Sequence, residues 1–130
     1  MKKLIFPTVA ILALNACGPD ETISGYADRD AVYHLVSLDN QPFFQRATIA
    51  FPKEGEAVGH GPCNSFSASQ NTYYPWFELG PIAATRAACP DLEAEVTFFD
   101  ALGDMRFSEV AGTVLLLTGE GGREMTFEAR

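Results

Sequence analysis

The sequence predicts an α+β domain that is rich in short antiparallel strands and contains one helix. Eight short segments combine β-branched or aromatic residues with flanking turn residues. One segment, residues 90–102, has helical spacing of its apolar residues instead. The last three strand segments are joined by short loops that contain glycine, and such loops connect antiparallel neighbours because they are too short for a parallel crossover.

The first predicted strands form a hairpin or meander. Residues 31–38 and 47–51 carry the strand-forming residues, and the turn sequence Asp-Asn-Gln-Pro lies between them at 39–42. A further break at 52–55 separates them from a short strand at 56–60. The remaining strands are expected at 76–79, 81–85, 105–110, 113–118 and 124–128.

The predicted helix follows directly after the last cysteine. Pro90 suits its first position, where the missing N–H costs nothing, and Gly103 is expected to end it in the left-handed conformation. The apolar stripe that should face the sheet comprises Leu92, Val96, Phe99 and Leu102. Three acidic residues lie off this stripe, namely Glu93, Glu95 and Asp100.

Residues 1–16 have the organisation of a secretory signal peptide. Lys2 and Lys3 precede an apolar run at 4–14, which is too short to cross a bilayer as a transmembrane helix. The alternative, an N-terminal core helix, does not account for the two lysines or for an apolar run without helical periodicity.

The sequence Leu-Asn-Ala-Cys at 14–17 resembles the lipobox of bacterial lipoproteins, which implies cleavage after Ala16 and lipidation of Cys17. Plain secretion, with the same cleavage and no lipid, is the alternative. Residues 17–30 would comprise the lipidated cysteine and a flexible polar tether without a run able to bury apolar surface. Because Gly18 is not the aspartate that commonly retains lipoproteins in the inner membrane, we expect a periplasm-facing lipoprotein of the outer membrane.

The remaining chain is long enough for one domain, residues 31–130. The full sequence has 9 basic and 17 acidic side chains. Removal of Lys2 and Lys3 with the leader leaves 7 basic against 17 acidic side chains, a formal charge of −10. Such an acidic surface excludes nucleic-acid binding, which needs Lys and Arg for the phosphates, and favours a soluble monomer.

Two segments carry a family resemblance, Gly-Pro-Cys-Asn-Ser-Phe-Ser at 61–67 and Ala-Thr-Arg-Ala-Ala-Cys-Pro at 84–90. A glutamate early in the predicted helix and a Gly-x-x-Leu-x-Leu strand at 112–117 follow them. In this order and spacing the chain resembles the META domain, the HslJ-like family of bacterial envelope proteins. The matching residues are Cys63, Asn64, Ser65, Phe66, Ser67, Thr85, Arg86, Ala88, Cys89, Pro90, Glu95, Gly112, Leu115 and Leu117.

The resemblance implies a compact α+β domain, and we expect a curved antiparallel sheet, a partial barrel, packed on the single helix at about 90–102. Family members are often lipid-anchored and are associated with envelope stress or antibiotic tolerance. The family has no established catalytic group. We therefore predict no catalytic residue, metal or cofactor.

Cys63 and Cys89 are expected to form a disulfide, because an oxidising compartment favours pairing of the two cysteines that remain after lipidation. Two buried free thiols are the alternative. His60 could join them as a metal ligand, but a structural zinc site needs a fourth ligand that the sequence does not offer. His60 could also serve as the base for a Cys63 nucleophile, which would make the protein an enzyme.

The polar residues of the two motifs allow two interpretations. Arg86 with nearby hydroxyls could bind a carboxylate or phosphate. The interpretation we favour is structural, because Asn and Ser side chains satisfy turn backbone groups and Arg86 has many acids to pair with. The residues concerned are Asn64, Ser65, Ser67, Thr85 and Arg86. His34 is expected to be a wall or surface residue of its strand.

Aromatic residues cluster around Pro75. If they are exposed, they mark a surface for a partner or a ligand, although strand alternation should send about half of them into the core. The candidate binding surface comprises Tyr73, Tyr74 and Trp76, and Phe77 completes the cluster.

The sequence thus predicts a non-catalytic envelope lipoprotein, an accessory or stress-response module that binds an envelope protein or a small apolar ligand. It would contact the membrane only through its lipid anchor. The alternative is a thiol-dependent or hydrolytic enzyme that uses Cys63 and His60.

Overall fold

The computed structural model describes residues 2–5 and 18–130. Within these ranges the chain has nine β-strands and one α-helix, α1 (Leu92–Asp104). The strands are β1 (Tyr33–Leu38), β2 (Gln41–Pro42), β3 (Thr48–Ala50), β4 (Gly55–His60), β5 (Ser65–Gln70), β6 (Ala83–Ala84), β7 (Met105–Ala111), β8 (Val114–Gly119) and β9 (Glu124–Ala129).

All strands belong to one antiparallel sheet that curls into a half-barrel with the single helix packed on it. Its order is β6-β5-β4-β3-β1-β9-β8-β7, and β2 pairs with the end of β1. Strand β1 therefore joins two meanders, one built from β3 to β6 and one from β7 to β9. The predicted α+β class, with a curved antiparallel sheet and a terminal meander, is confirmed.

The turn after β1 is a tight one. Asp39 and Asn40 both have positive φ, 50° and 62°, between the paired residues Leu38 and Gln41, as a type I′ turn requires. The carboxylate of Asp39 accepts the backbone N–H of Glu124 at 3.0 Å and also binds Arg123. The hydrogen bond from Glu124, with those from Arg123, holds the pKa of Asp39 below its ordinary value. This contact fixes the turn to the start of β9.

Three segments differ from the predicted strands. The first motif continues into a full strand, β5, where no strand was predicted. Residues 76–79 make only two isolated bridges, Gln70 to Leu79 and Trp76 to Phe107. The strand expected at 81–85 shortens to β6.

The core lies between the inner face of the sheet and α1. The largest fully buried side chains are Tyr33, Phe51, Phe77, Phe98, Phe127, Ile23, Ile49, Leu102, Met105, Leu115, Leu117 and Met125. Phe98 brings the helix into this core, because its ring packs on Phe66 and Phe43 at centroid distances of 5.9 and 6.4 Å.

The predicted buried stripe of the helix is wrong for Leu92 and Val96, partly right for Phe99, which packs against the core, and confirmed for Leu102. Val96 is 53% exposed and Leu92 is exposed, whereas Phe99 is half-buried and only Leu102 is fully enclosed. The buried residues are Glu95, Phe98, Ala101 and Leu102. The buried face is thus displaced by one residue, about 100° around the helix axis.

The physical reason is that two apolar stripes are available on this helix, and a polar contact selects between them. Glu95 turns inward to accept hydrogen bonds from backbone groups, and that rotation carries Phe98 into the core and Val96 out of it. The helix also begins two residues later than predicted, at Leu92, and continues through Gly103 to Asp104. Gly103 therefore lies inside the helix and does not end it.

Part of the expected tether is packed on the domain. Thr22, Ile23 and Ser24 are buried, and Ile23–Gly25 forms a turn of 3-10 helix. Asp20 organises this turn by accepting hydrogen bonds from the backbone N–H and the hydroxyl of Thr22 and from the Ser24 hydroxyl. The expectation that no apolar surface is buried before residue 31 is therefore corrected.

Most of the predicted signal peptide, with the lipidation position Cys17, lies outside the described residues. Among the residues that are described, no helix has the length and apolar character needed to cross a membrane.

Candidate functional site

The aromatic segment lies along the free edge of β7. The N–H of Phe77 donates to the carbonyl of Arg106 at 2.9 Å, and the N–H of Ser108 donates to the carbonyl of Pro75 at 2.7 Å. The Tyr74 hydroxyl accepts the N–H of Val110 at 3.0 Å. These bonds hold the backbone of the segment against the sheet, so that the orientation of its side chains is fixed.

The side chains of this segment divide between core and solvent. Phe77 is fully buried and meets Phe51 edge to face. Tyr74 is half-buried and stacks on Tyr26 with ring centroids 4.2 Å apart. Tyr73 and Trp76 are each 63% exposed.

Trp76 meets an exposed aromatic residue of β7. Its ring contacts Phe107 edge to face at 5.8 Å, and Phe107 is itself 40% exposed. We call Tyr73, Trp76 and Phe107 the aromatic patch. Two exposed acids, Glu78 and Glu109, lie two residues from Trp76 and Phe107 along the chain. The nearby Arg106 directs its guanidinium to the carbonyls of Gly103 and Met105.

Sequence reasoning missed Phe107. A regular strand at 105–110 would place Met105 and Phe107 on the same face. A bulge shifts the register between these two residues, so that Met105 is buried while Phe107 faces outward. No residue type in the segment signals this bulge.

The two family motifs meet at Asn64. Its side-chain oxygen accepts the N–H of Ala87 at 2.7 Å and the hydroxyl of Thr85 at 2.9 Å. Its side-chain amide donates to the carbonyl of Ala87 at 3.0 Å and to Glu95 at 2.6 Å. Asn64 is buried and thereby joins the first motif, the second motif and the helix.

Glu95, which was predicted to lie off the buried stripe, is the helix partner of Asn64. Its carboxylate is buried and accepts the backbone N–H groups of Cys63 and Asn64 at 3.0 and 2.6 Å. Gly61 makes room for it, because a Cβ at that position would lie 2.6 Å from the carboxylate oxygen. The early glutamate of the family pattern was the available signal for this role.

The predicted disulfide between Cys63 and Cys89 is confirmed, with Cα atoms 5.7 Å apart. Cys63 is therefore not a thiol, and the enzyme alternative with His60 as base has no support. His60 is half-buried at the end of β4 and pairs with Thr48 and Ser65 across the sheet. Among the described residues, no group of three or more His, Cys, Asp or Glu is arranged to hold a metal ion.

The serines, the arginine and the proline of the two motifs lie at or near the surface. Arg86 is exposed and makes no ion pair with the described residues, while Ser65 is half-buried and Ser67 exposed on β5. Pro90 is exposed just before the helix. His34 is half-buried and faces Thr48 and Glu128 on the neighbouring strands.

The fold and this arrangement define a small α+β domain. A disulfide and buried hydrogen bonds join its two motifs, and an aromatic patch lies at another place on the surface. The chain belongs to the META domain family, whose family model matches residues 28–130. No curated protein matches the chain.

Solved structures of other proteins share the fold, among them these two. One is an NMR structure of a protein from Burkholderia xenovorans, with a TM-score of 0.62 and 18% identity over 78% of this chain and 82% of that chain. The other is a crystal structure of a DUF4847 family protein from Bacteroides vulgatus, with a TM-score of 0.62 and 15% identity over 75% of this chain and 90% of that chain. At these identities the similarity establishes the fold alone.

Proposed function

We propose that this META domain is a non-catalytic accessory module of the bacterial envelope that binds a protein partner through the aromatic patch. The observation that carries the proposal is the exposed edge-to-face pair of Trp76 and Phe107. Tyr73 is equally exposed, and its carbonyl accepts the backbone N–H of Trp76 at 2.8 Å. Tryptophan and tyrosine supply large contact area with few rotatable bonds, and both are enriched among the residues that dominate binding energies.

The rigid attachment of the aromatic patch also supports a role in binding a protein partner. The patch is attached to β7 through main-chain hydrogen bonds on both sides of Trp76, so the ordering cost on binding is small. The acids Glu78 and Glu109 favour a partner segment that combines apolar and basic side chains. Such a contact should weaken as salt concentration rises.

The HslJ-like and lipoprotein character belongs to this proposal. The HslJ-like character rests on the order and spacing of the two motifs. The lipoprotein character rests on the order of lysines, apolar run and lipobox-like sequence that ends at Cys17. We propose that the mature protein is anchored in the outer membrane, faces the periplasm and acts in the response to envelope stress. Replacement of Cys17 with serine should then leave unprocessed precursor, whereas release of normal mature protein into the periplasm would contradict lipidation.

The patch is tested by photo-crosslinking of the full chain in cells. A photoreactive residue at position 73 should give a discrete adduct that disappears in the Trp76→Ala variant and weakens at high salt in isolated envelopes. A photoreactive residue at position 96, which is exposed on the helix, is the control and should not give that adduct. The same adduct from both positions, or an adduct that persists in Trp76→Ala, would show that the patch is not the binding surface.

A further inference from the structure

A second surface feature lies away from the aromatic patch. A cavity of about 540 Å³ opens over the outer face of β1, between this strand and the segment that leads from β2 to β3. Its size is within the range of pockets for small organic ligands. The residues that carry the argument are His34, Val36, Phe43, Phe44, Arg46 and Arg130.

Two arginines approach this cavity from opposite sides of β1. Arg130 follows β9, and its backbone N–H donates to the carbonyl of Val32 at 3.2 Å. Arg46 precedes β3, and the carbonyl of the next residue, Ala47, accepts the N–H of Leu35 at 2.8 Å. Both backbones are therefore anchored next to the central strand, and both arginines line the same cavity.

Neither arginine has a carboxylate partner among the described residues. Arg29, Lys53 and Arg123 all form ion pairs there, whereas Arg46 and Arg130 do not. Arg86 and Arg106 make no ion pair with described residues either, and what distinguishes Arg46 and Arg130 is that both line one cavity. An anion between them would relieve their mutual repulsion and accept charge-assisted hydrogen bonds.

Apart from the two arginines, His34 and Gln45, the lining residues are apolar. Phe44 is 89% exposed at the cavity, and Val36 and Phe43 line it as well. An exposed phenylalanine loses unfavourable contact with water when it covers an apolar ligand. We propose that this cavity binds a small organic anion, a carboxylate or phosphate monoester with an apolar body.

The negative charge around the cavity limits the ligand to a small anion. Glu128 pairs with His34 in the strand register and brings a carboxylate close to the cavity, and the whole domain is strongly acidic. A polyanion would be repelled over most of its length, while a single anionic group can contact the two arginines alone. This inference is independent of the proposed protein-binding patch.

The test is titration of the full chain, purified in a neutral detergent, with phenyl phosphate and with benzoate, followed by NMR shifts of arginine side-chain N–H groups. Benzyl alcohol is the uncharged comparison ligand. We expect binding of at least one anion, no binding of the alcohol, and a loss of about tenfold or more in affinity for Arg46→Gln and Arg130→Gln. Glu128→Gln should increase the affinity, because it removes the nearby negative charge.

Arg86→Gln is the matched control, since it removes the same charge from an exposed arginine outside the cavity. An equal loss in Arg86→Gln, equal binding of benzyl alcohol, or no binding of either anion would overturn the proposal. Vesicles that contain phosphatidic acid, whose headgroup is a phosphate monoester, identify the source of the anion. Competition by these vesicles indicates a lipid headgroup, and binding of phenyl phosphate without competition indicates a free acid.

Discussion

Asn64 binds both oxygens of the Glu95 carboxylate. Its backbone N–H donates to Oε1 and its side-chain amide donates to Oε2, each at 2.6 Å. The two residues are 31 positions apart in sequence. A buried charge is tolerated only when hydrogen bonds satisfy it, and this pair does so while it holds the helix against both motifs.

Glu95→Ala should therefore destabilise the domain. The change leaves the buried N–H of Asn64 and the N–H of Cys63 without an acceptor, and we expect a loss of about 3 kcal/mol in the free energy of unfolding, measured by urea denaturation. Glu93→Ala removes an exposed carboxylate from the same helix and should change stability by less than about 0.5 kcal/mol. Similar losses for the two variants would contradict the structural role of Glu95.

The observed helix face makes a second prediction. Phe98→Ala removes a fully buried ring that contacts Phe66, and should cost about 3 to 5 kcal/mol. Val96→Ala changes an exposed side chain and should be within about 0.5 kcal/mol of the original chain. Thermal or urea unfolding of both variants checks the prediction. A larger loss for Val96→Ala than for Phe98→Ala would show that Val96 lies on the buried face, as apolar spacing alone predicted.

The helix shows how far sequence reasoning extends. Spacing and the preceding proline located the helix to within two residues, because amphipathic periodicity and chain breakers act locally. The buried face depends on where the backbone of Cys63 and Asn64 lies, and that position is set by residues distant in sequence. Periodicity cannot reveal such a contact. The helix offers a second set of apolar residues, displaced by one position, and only the tertiary contact selects between the two sets.

The candidate site shows the same contrast between features that local sequence predicts and features that tertiary structure decides. The aromatic cluster and the two motifs were found from composition and order. Phe107 and the arginines of the cavity were not, because a bulge moves the first to the outer face and strand pairing brings the others together. The tether was misjudged because its apolar contacts come from a few isolated residues, Ile23 in the core with Ala27 and Tyr26 packed nearby, and such residues give no periodic signal.

The disulfide makes a third prediction. Replacing Cys63 and Cys89 together with serine should lower the free energy of unfolding by about 3.5 kcal/mol, because the bond closes a loop with a sequence separation of 26 and restricts the unfolded chain. Unfolding curves with and without reductant provide the measurement. Reduction should bring the original chain to the stability of the double variant and should leave the double variant unchanged.

Asp20 makes the last prediction, which concerns pH. Burial alone raises the pKa of this carboxyl, but the hydrogen bonds from Ser24 and Thr22, together with the charge of Arg29, outweigh burial and hold the pKa below its ordinary value. A carboxyl whose pKa is lower in the folded chain stabilises that chain above its ordinary pKa of about 3.9, and this contribution is lost as the pH falls through the folded value. Asp20→Asn should therefore lower stability by about 1 to 2 kcal/mol at pH 7, with a difference from the original chain that shrinks toward pH 2.

Asp100→Asn, a change of an exposed acid on the helix, is the control and should shift stability little at either pH. Urea denaturation at several pH values measures the difference, and a loss for Asp20→Asn that stays constant from pH 7 to pH 2 would show that the charge of Asp20 does not hold the turn at Ile23–Gly25.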